Sequence, residues 1–264
     1  MKFTKMQGLG NDYLYVYGEV PENIEELSIR LSDRHFGAGS DGMIYIAPSD
    51  IADFSMRIFN ADGSEAKMCG NGIRCVGKYV YDKGYTSKKE LAIDTLSGIK
   101  YLTLVTDENN KVKEVTVDMG KGVTEDEKTI TVLGTELSYI PTSMGNPHAV
   151  FFTDDINTVE LEKVGPLIEH DAAFPDGVNA EFVEVIFENE IRMRVWERGS
   201  GITMACGTGA CASVCASIKK GYCKYNDEIC VRLDGGDLYI KVSEDNTVYM
   251  RGPSVTVYDA EEAD

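Results

Sequence analysis

The sequence predicts an α/β protein built from two similar, pseudo-symmetric domains, with the active site in the cleft between them. Two observations carry this, and length allows it. Short apolar runs of strand length alternate with a few helical stretches. Three blocks recur in fixed register, each pair 137 residues apart. These are Met56-Arg57-Ile58-Phe59 with Met193-Arg194-Val195-Trp196, Cys69-Gly70-Asn71-Gly72 with Cys206-Gly207-Thr208-Gly209, and Lys83-Gly84-Tyr85 with Lys220-Gly221-Tyr222. The 264 residues suit one large domain or two of about 130 residues each.

Taken along the chain, residues 14–17, 43–46 and 55–59 read as strands in the first half. Residues 115–117, 149–152, 182–185 and 192–196 read as strands later, and residues 24–34 as a helix that ends before Gly37. In each copy of the repeat a strand leads through a loop to Cys-Gly-x-Gly and then to a helix, predicted at 71–83 and 208–220. Each helix stops at a glycine suited to a C-cap. A fainter echo pairs Gly10-Asn11 with Gly145-Asn146, both ahead of an apolar strand. Each Cys-Gly-x-Gly therefore opens a helix, where bare glycine backbone admits a ligand and unpaired N–H groups favour an anion.

A composition of 43% hydrophobic and 27% charged residues is that of a soluble globular protein. The net charge of -18 excludes a general nucleic-acid binder, which needs clustered Lys and Arg, and argues against docking on anionic membrane. No apolar signal-peptide core stands at the start, and no stretch approaches the roughly 18 apolar residues of a membrane span. Seven cysteines cannot all pair internally, and without a secretory signal reduced thiols and a cytoplasmic location are expected.

A thiol at a helix N-terminus has its thiolate favoured. Two such thiols, one from each half, suit inversion at an α-carbon: one thiolate removes the proton from one face while the other thiol delivers a proton to the opposite face. The N–H groups of the two helix ends would hold the α-carboxylate. An ordinary thiol with a pKa of ~8.5 is only about 3% thiolate at pH 7, so the pair must share one proton through two macroscopic steps. An isolated cysteine near a helix start is more often core than catalyst, and Cys75, Cys211, Cys215, Cys223 and Cys230 read as core or neutral positions. Duplication sets Cys69 and Cys206 apart. A zinc site is weak, with no Cys-x-x-Cys and three histidines. A cysteine hydrolase could use His148 as base, but it leaves the second motif unexplained. Residues 37–42 spell Gly-x-Gly-x-x-Gly between a helix and a strand, the reverse of the dinucleotide-binding context.

The blocks Phe59-Asn60-Ala61-Asp62-Gly63-Ser64-Glu65 with Met68-Cys69-Gly70-Asn71-Gly72-Ile73-Arg74-Cys75, and Trp196-Glu197-Arg198-Gly199 with Ala205-Cys206-Gly207-Thr208-Gly209-Ala210-Cys211-Ala212, resemble the two catalytic motifs of the diaminopimelate epimerases. Gly10-Asn11-Asp12, Gly145-Asn146-Pro147-His148 and Val178-Asn179-Ala180 match further family blocks, so the resemblance covers nearly the whole chain. It implies two domains, each a mixed sheet wrapped around a central helix, at 1–118 with a last strand at about 252–264, and at 119–251. It implies interconversion of LL- and meso-diaminopimelate on the route to lysine and cell wall, without pyridoxal phosphate, metal or other cofactor, by a homodimer.

By the same resemblance Cys69 and Cys206 are the acid–base pair. Gly70, Asn71, Gly207 and Thr208 cradle the reacting carboxylate, and His148 and Glu197 tune the thiols. Asn11, Asn60, Asn146, Asn179, Glu197 and Arg198 grip the rest of the substrate, with Arg198 a natural partner for a distal carboxylate. Where some members carry a Gln, this chain has Gly42. Competing readings are a racemase of proline, hydroxyproline or histidine, a phenazine-biosynthesis-like isomerase (a group lacking the cysteine pair), and a binding protein for a zwitterion.

Overall fold

The computed structural model describes residues 1–263, which group into two compact units, Met1–Asp118 with the chain from Arg251 onward, and Met119–Met250. The first unit opens with strands β1 (Lys2–Gly8) and β2 (Asn11–Tyr17), helix α1 (Ile24–Ser32), and strands β3 (Gly42–Pro48), β4 (Phe54–Asn60) and β5 (Glu65–Ala66). Helix α2 (Gly70–Asp82) and strands β6 (Glu90–Thr95), β7 (Gly98–Thr106) and β8 (Val112–Lys121) follow. The second unit holds β9 (Val123–Thr124), β10 (Lys128–Val132), β11 (Thr135–Ser143), β12 (Pro147–Phe152), α3 (Leu161–Glu169), β13 (Asn179–Phe187), β14 (Glu190–Glu197) and β15 (Gly201–Ile202). It continues through α4 (Gly207–Lys219), β16 (Glu228–Leu233) and β17 (Gly236–Val242) to β18 (Thr247–Pro253), after which β19 (Val255–Glu261) belongs to the first unit.

Strand pairing repeats between the units. In the first, β1 and β2 are antiparallel, β2 and β3 parallel, β3 and β4 antiparallel, β4 and β6 parallel, and β6 and β7 antiparallel. In the second, β11–β12, β12–β13, β13–β14, β14–β16 and β16–β17 follow the same order of senses. The sequence repeat is thus a repeat of topology, a mixed sheet around one helix, as expected. The last strand, β19, pairs antiparallel with β1.

Both central helices are buried on nearly every side, which their sequences permit. In α4 the run Gly-Thr-Gly-Ala-Cys-Ala-Ser-Val-Cys-Ala-Ser is almost all small residues, and ten of its thirteen residues are buried. In α2, a Cβ at Gly77 would lie 2.9 Å from both Leu102 and Leu104 of β7, so glycine lets helix and strand close up. Each helix ends alike: Gly84 and Gly221 take φ of +80° and +78°, with Tyr85 N–H and Tyr222 N–H returning to the carbonyls of Val80 and Ser217. The outer faces carry separate cores, Leu14, Met43 and Phe59 under Leu27 and Leu31 of α1, and Phe151, Ala180 and Phe182 under Leu161 and Ile168 of α3. No helix of the described residues is long and apolar enough to cross a membrane.

The bounds of three helices differ from the sequence reading. The helices expected at 71–83 and 208–220 begin and end one residue earlier, because each cysteine is the N-cap. The helix expected to reach Arg34 stops at Ser32. Asp33 leaves the helix with ψ of 124° and its carboxylate accepts from the N–H groups of His35 and Phe36.

Candidate active site

Cysteine is not a usual N-cap, yet it fills that place on both central helices. Cys69 Sγ accepts from Gly72 N–H at 3.3 Å, and Cys206 Sγ accepts from Gly209 N–H at 3.3 Å. The third N–H of each helix is thereby satisfied by sulfur. Gly70, Asn71, Gly207 and Thr208 form the first turns, where helix geometry leaves N–H groups without intrahelical acceptors.

Around Cys69 the first unit builds a polar chain. The thiol donates to Asn11 Oδ1 at 3.2 Å, and Asn11 Nδ2 donates to Asp41 Oδ2 at 2.8 Å. Asp41 also accepts from Asp12 N–H and from Arg34, whose guanidinium bridges Asp41 and Asp12 at 2.8 Å each. This fixes Asn11, since only its amide nitrogen can face the Asp41 carboxylate, leaving its oxygen for Cys69. Burial opposes ionisation of Asp12, but hydrogen bonds from Arg34 and Lys5 outweigh it and hold that carboxyl below its ordinary range. Tyr13 lies beside Cys69 and Asn11, and burial, then the charges of Cys69 and Asp41, keep its hydroxyl protonated. The ordering roles of Asp41, Arg34 and Tyr13 have no signature in the sequence. Asn60 does not join this chain. It sits at the end of β4, where its side chain bonds Ser64 Oγ at 3.1 Å.

Gly42 has a steric reason. A Cβ there would lie 2.1 Å from Phe59 O and 2.9 Å from Asn60 Cα across the β3–β4 ladder, so no side chain fits without moving the backbone.

The second unit surrounds Cys206 more tightly. Burial, then the charges of Glu197 and Glu181, pushes its thiol well above the ordinary range, against hydrogen bonds from Thr208 and Gly209. Glu197, itself raised by burial, is hydrogen-bonded by Thr203 and Cys206. Helix position alone had suggested a lowered thiol. The correction is that desolvation and two carboxylates outweigh the helix end here. Thr208 Oγ1 is 3.6 Å from the sulfur, Asn146 Nδ2 donates to Thr208 at 3.3 Å, and Asn146 Oδ1 faces His148 Nε2 at 3.1 Å. His148 therefore reaches Cys206 through Asn146 and Thr208. Its Nδ1 lies 2.6 Å from Glu181 Oε1, a buried partner that sequence reading missed.

Asn179 ties elements together: Nδ2 donates to Pro147 O at 2.8 Å and Oδ1 accepts from Arg198 N–H at 3.0 Å. The Arg198 guanidinium is exposed, donates to Asp176 O, and its charge acts on Glu169. Burial also raises the thiols of Cys75 and half-buried Cys230, and lifts Cys215 to about 12 and Cys223 to about 11. Among the described residues no three His, Cys, Asp or Glu side chains gather as a metal site.

Known proteins match this chain over nearly its whole length. The sequence model of the family described as diaminopimelate epimerase matches residues 3–125 and 141–257. Diaminopimelate epimerases of Methanococcus maripaludis and Acetivibrio thermocellus are 51% and 50% identical to this chain, over 99% of it and over 99% and 98% of their own lengths. Among solved structures, a hydroxyproline epimerase from Agrobacterium vitis superposes with a TM-score of 0.73 at 15% identity, covering 98% of this chain and 90% of that one. A phenazine biosynthesis protein of the PhzF family from Bacillus anthracis gives 0.73 at 16% identity, covering 100% and 99%. At such identities these two likenesses speak for the fold alone, whereas the sequence matches decide membership. The chain belongs to the diaminopimelate epimerase family.

Proposed function

We propose that this chain interconverts LL- and meso-diaminopimelate, supplying the meso isomer for lysine and peptidoglycan precursors, with Cys69 and Cys206 as its two acid–base groups. The observation that carries the reading is the duplicated thiol cap, a sulfur on the third N–H of each central helix. Inversion at an α-carbon needs a base for one face and an acid for the other, and no cofactor when both are positioned.

Burial and its carboxylate neighbours raise Cys206 and favour its acid form, and the two thiols exchange the roles of acid and base with the direction of the reaction. The thiolate that Cys206 becomes is met by the Gly209 N–H and the Thr208 hydroxyl. Cys69, here a thiol donating to Asn11 Oδ1, serves as its counterpart, and as a thiolate it is met by the Gly72 N–H. First-turn N–H groups at Gly70, Asn71, Gly207 and Thr208 take the α-carboxylate and the charge that builds on it during proton removal. Arg198, exposed and cationic, takes the distal carboxylate, which favours a dicarboxylic substrate over proline or histidine.

Incubation with LL-diaminopimelate tests the substrate. Approach to a mixture of LL and meso isomers is expected without added pyridoxal phosphate. No change in isomer composition, or equal turnover of proline, hydroxyproline or histidine, counts against it.

A further inference from the structure

Beneath the first turn of α4 lies a buried pair whose hydrogens the proposed chemistry leaves unassigned. The side chains of His148 on β12 and Glu181 on β13 have no exposed surface, and Nδ1 lies 2.6 Å from Oε1. At that separation a hydrogen lies between them. Three states are then open: a pair of zero net charge with a second hydrogen on Nε2, a pair of net charge −1 with Nε2 bare, or a neutral pair with that hydrogen on Glu181 Oε2, where no acceptor meets it. Glu181 Oε2 has no hydrogen-bond partner, and Glu197 already brings a second, largely buried carboxyl group to the same cluster. A net negative pair would leave buried charge uncompensated, a far larger penalty than burying a neutral pair. The fold therefore accommodates the state with hydrogen on Nε2.

That hydrogen sets the sense of every bond that follows. Nε2 donates to Asn146 Oδ1 at 3.1 Å, which turns Asn146 Nδ2 towards Thr208 Oγ1 at 3.3 Å. Having accepted that bond, Thr208 has its own hydroxyl hydrogen to give, and Cys206 Sγ is 3.6 Å away. With Nε2 bare, the amide would turn over, Thr208 would donate to Asn146, and the sulfur would lose a donor. The backbone leaves room for this arrangement: a Cβ at Gly209 would lie 2.7 Å from Glu181 Oε1, so the third residue of α4 is bare where the carboxylate passes under it.

We propose that Glu181 is a positioning residue for Cys206, acting through His148, Asn146 and Thr208 to aim the Thr208 hydroxyl hydrogen at the sulfur when it is a thiolate. The inference rests on the two-thiol reading above. The ionisable groups facing His148 are Glu181 from β13 and Glu197 from the end of β14, and both carboxyl groups act in turn on Cys206 at the cap of α4.

Long-range proton–nitrogen NMR of the wild-type imidazoles, with His148 assigned by the loss of its signal in His148→Gln, is expected to show Nε2 protonated at neutral pH. Glu181→Leu fills the space without a carboxylate. It is expected to lower kcat on the order of tenfold, the scale of one lost hydrogen bond, with KM within about twofold. Thr208→Val cuts the same chain at its other end, so the double variant is expected to be no slower than the slower single one. A bare Nε2 in the wild type, or losses in the two single variants that multiply, overturns the proposal. Should the wild type fail to epimerise diaminopimelate, the substrate reading falls instead, and the NMR result alone decides the role of Glu181.

Discussion

At the scale of single residues, the two thiols serve at once as helix caps and as the proposed acid–base groups, and substitution can separate the roles. Serine caps a helix at least as well as cysteine, but its hydroxyl is far too weak an acid to share a proton at neutral pH. Cys69→Ser and Cys206→Ser are therefore expected to hold their melting temperatures while epimerisation falls by at least about a thousandfold, the scale of a lost acid or base. Near-normal turnover in either variant would refute the assignment. Arg198 makes a second case. Arg198→Met is expected to reduce kcat/KM for diaminopimelate by about 10- to 100-fold, the range for a charge-assisted hydrogen bond. It should leave any slow turnover of lysine, which has no distal carboxylate, unchanged; parallel losses on both substrates would contradict the role. The cysteines were legible in sequence because the motif occurs twice in register. Glu181 and Asp41 were not, being single carboxylates in a strand and a loop whose partners, His148 and Asn11, lie 33 and 30 residues away.

Among the elements, the two helix starts are alike in sequence but differ beneath. A Cβ at Gly72 would meet the tip of Ile44 at 2.7 Å, a flexible apolar end that can shift. At Gly209 it would meet the Glu181 carboxylate, which His148 holds in place. Gly209→Ala is thus expected to cost about 1–3 kcal/mol by overpacking and to slow turnover, with Gly72→Ala the milder of the two. Comparing melting curves and rates of the pair checks this, and equal effects would contradict it. Central strands such as β3 and β13 were legible as apolar runs. Strands β6 and β7 were not picked out, because neither carries an unbroken apolar run, although buried residues alternate with exposed ones along much of both. The end of α1 was misplaced because the Asp33 turn, not Gly37, stops it.

For the molecule as a whole, the constant 137-residue offset is matched by the same order of parallel and antiparallel pairings in both units. Their buried thiols also make stability depend on pH. Burial raises Cys75 and Cys206, and lifts Cys223 to about 11 and Cys215 to about 12. A group raised on folding contributes stability that is complete below its unfolded value and is lost as pH climbs towards the folded one. The melting temperature should therefore not fall on account of these thiols below about pH 8, and should fall beyond about 8.5, the ordinary thiol value. Cys215→Ala should flatten that alkaline fall, since it removes a strongly raised thiol. An unchanged alkaline slope in this variant would contradict the assignment.

The central claim, two thiols acting on opposite faces of one carbon, is tested most directly by early isotope incorporation in deuterated water. The proton taken from the substrate stays on the first thiol, while the second delivers one already exchanged with solvent. Product formed in the first few per cent of reaction is expected to carry deuterium at the inverted centre, and recovered substrate almost none. Equal early labelling of substrate and product would mean that a single base serves both faces.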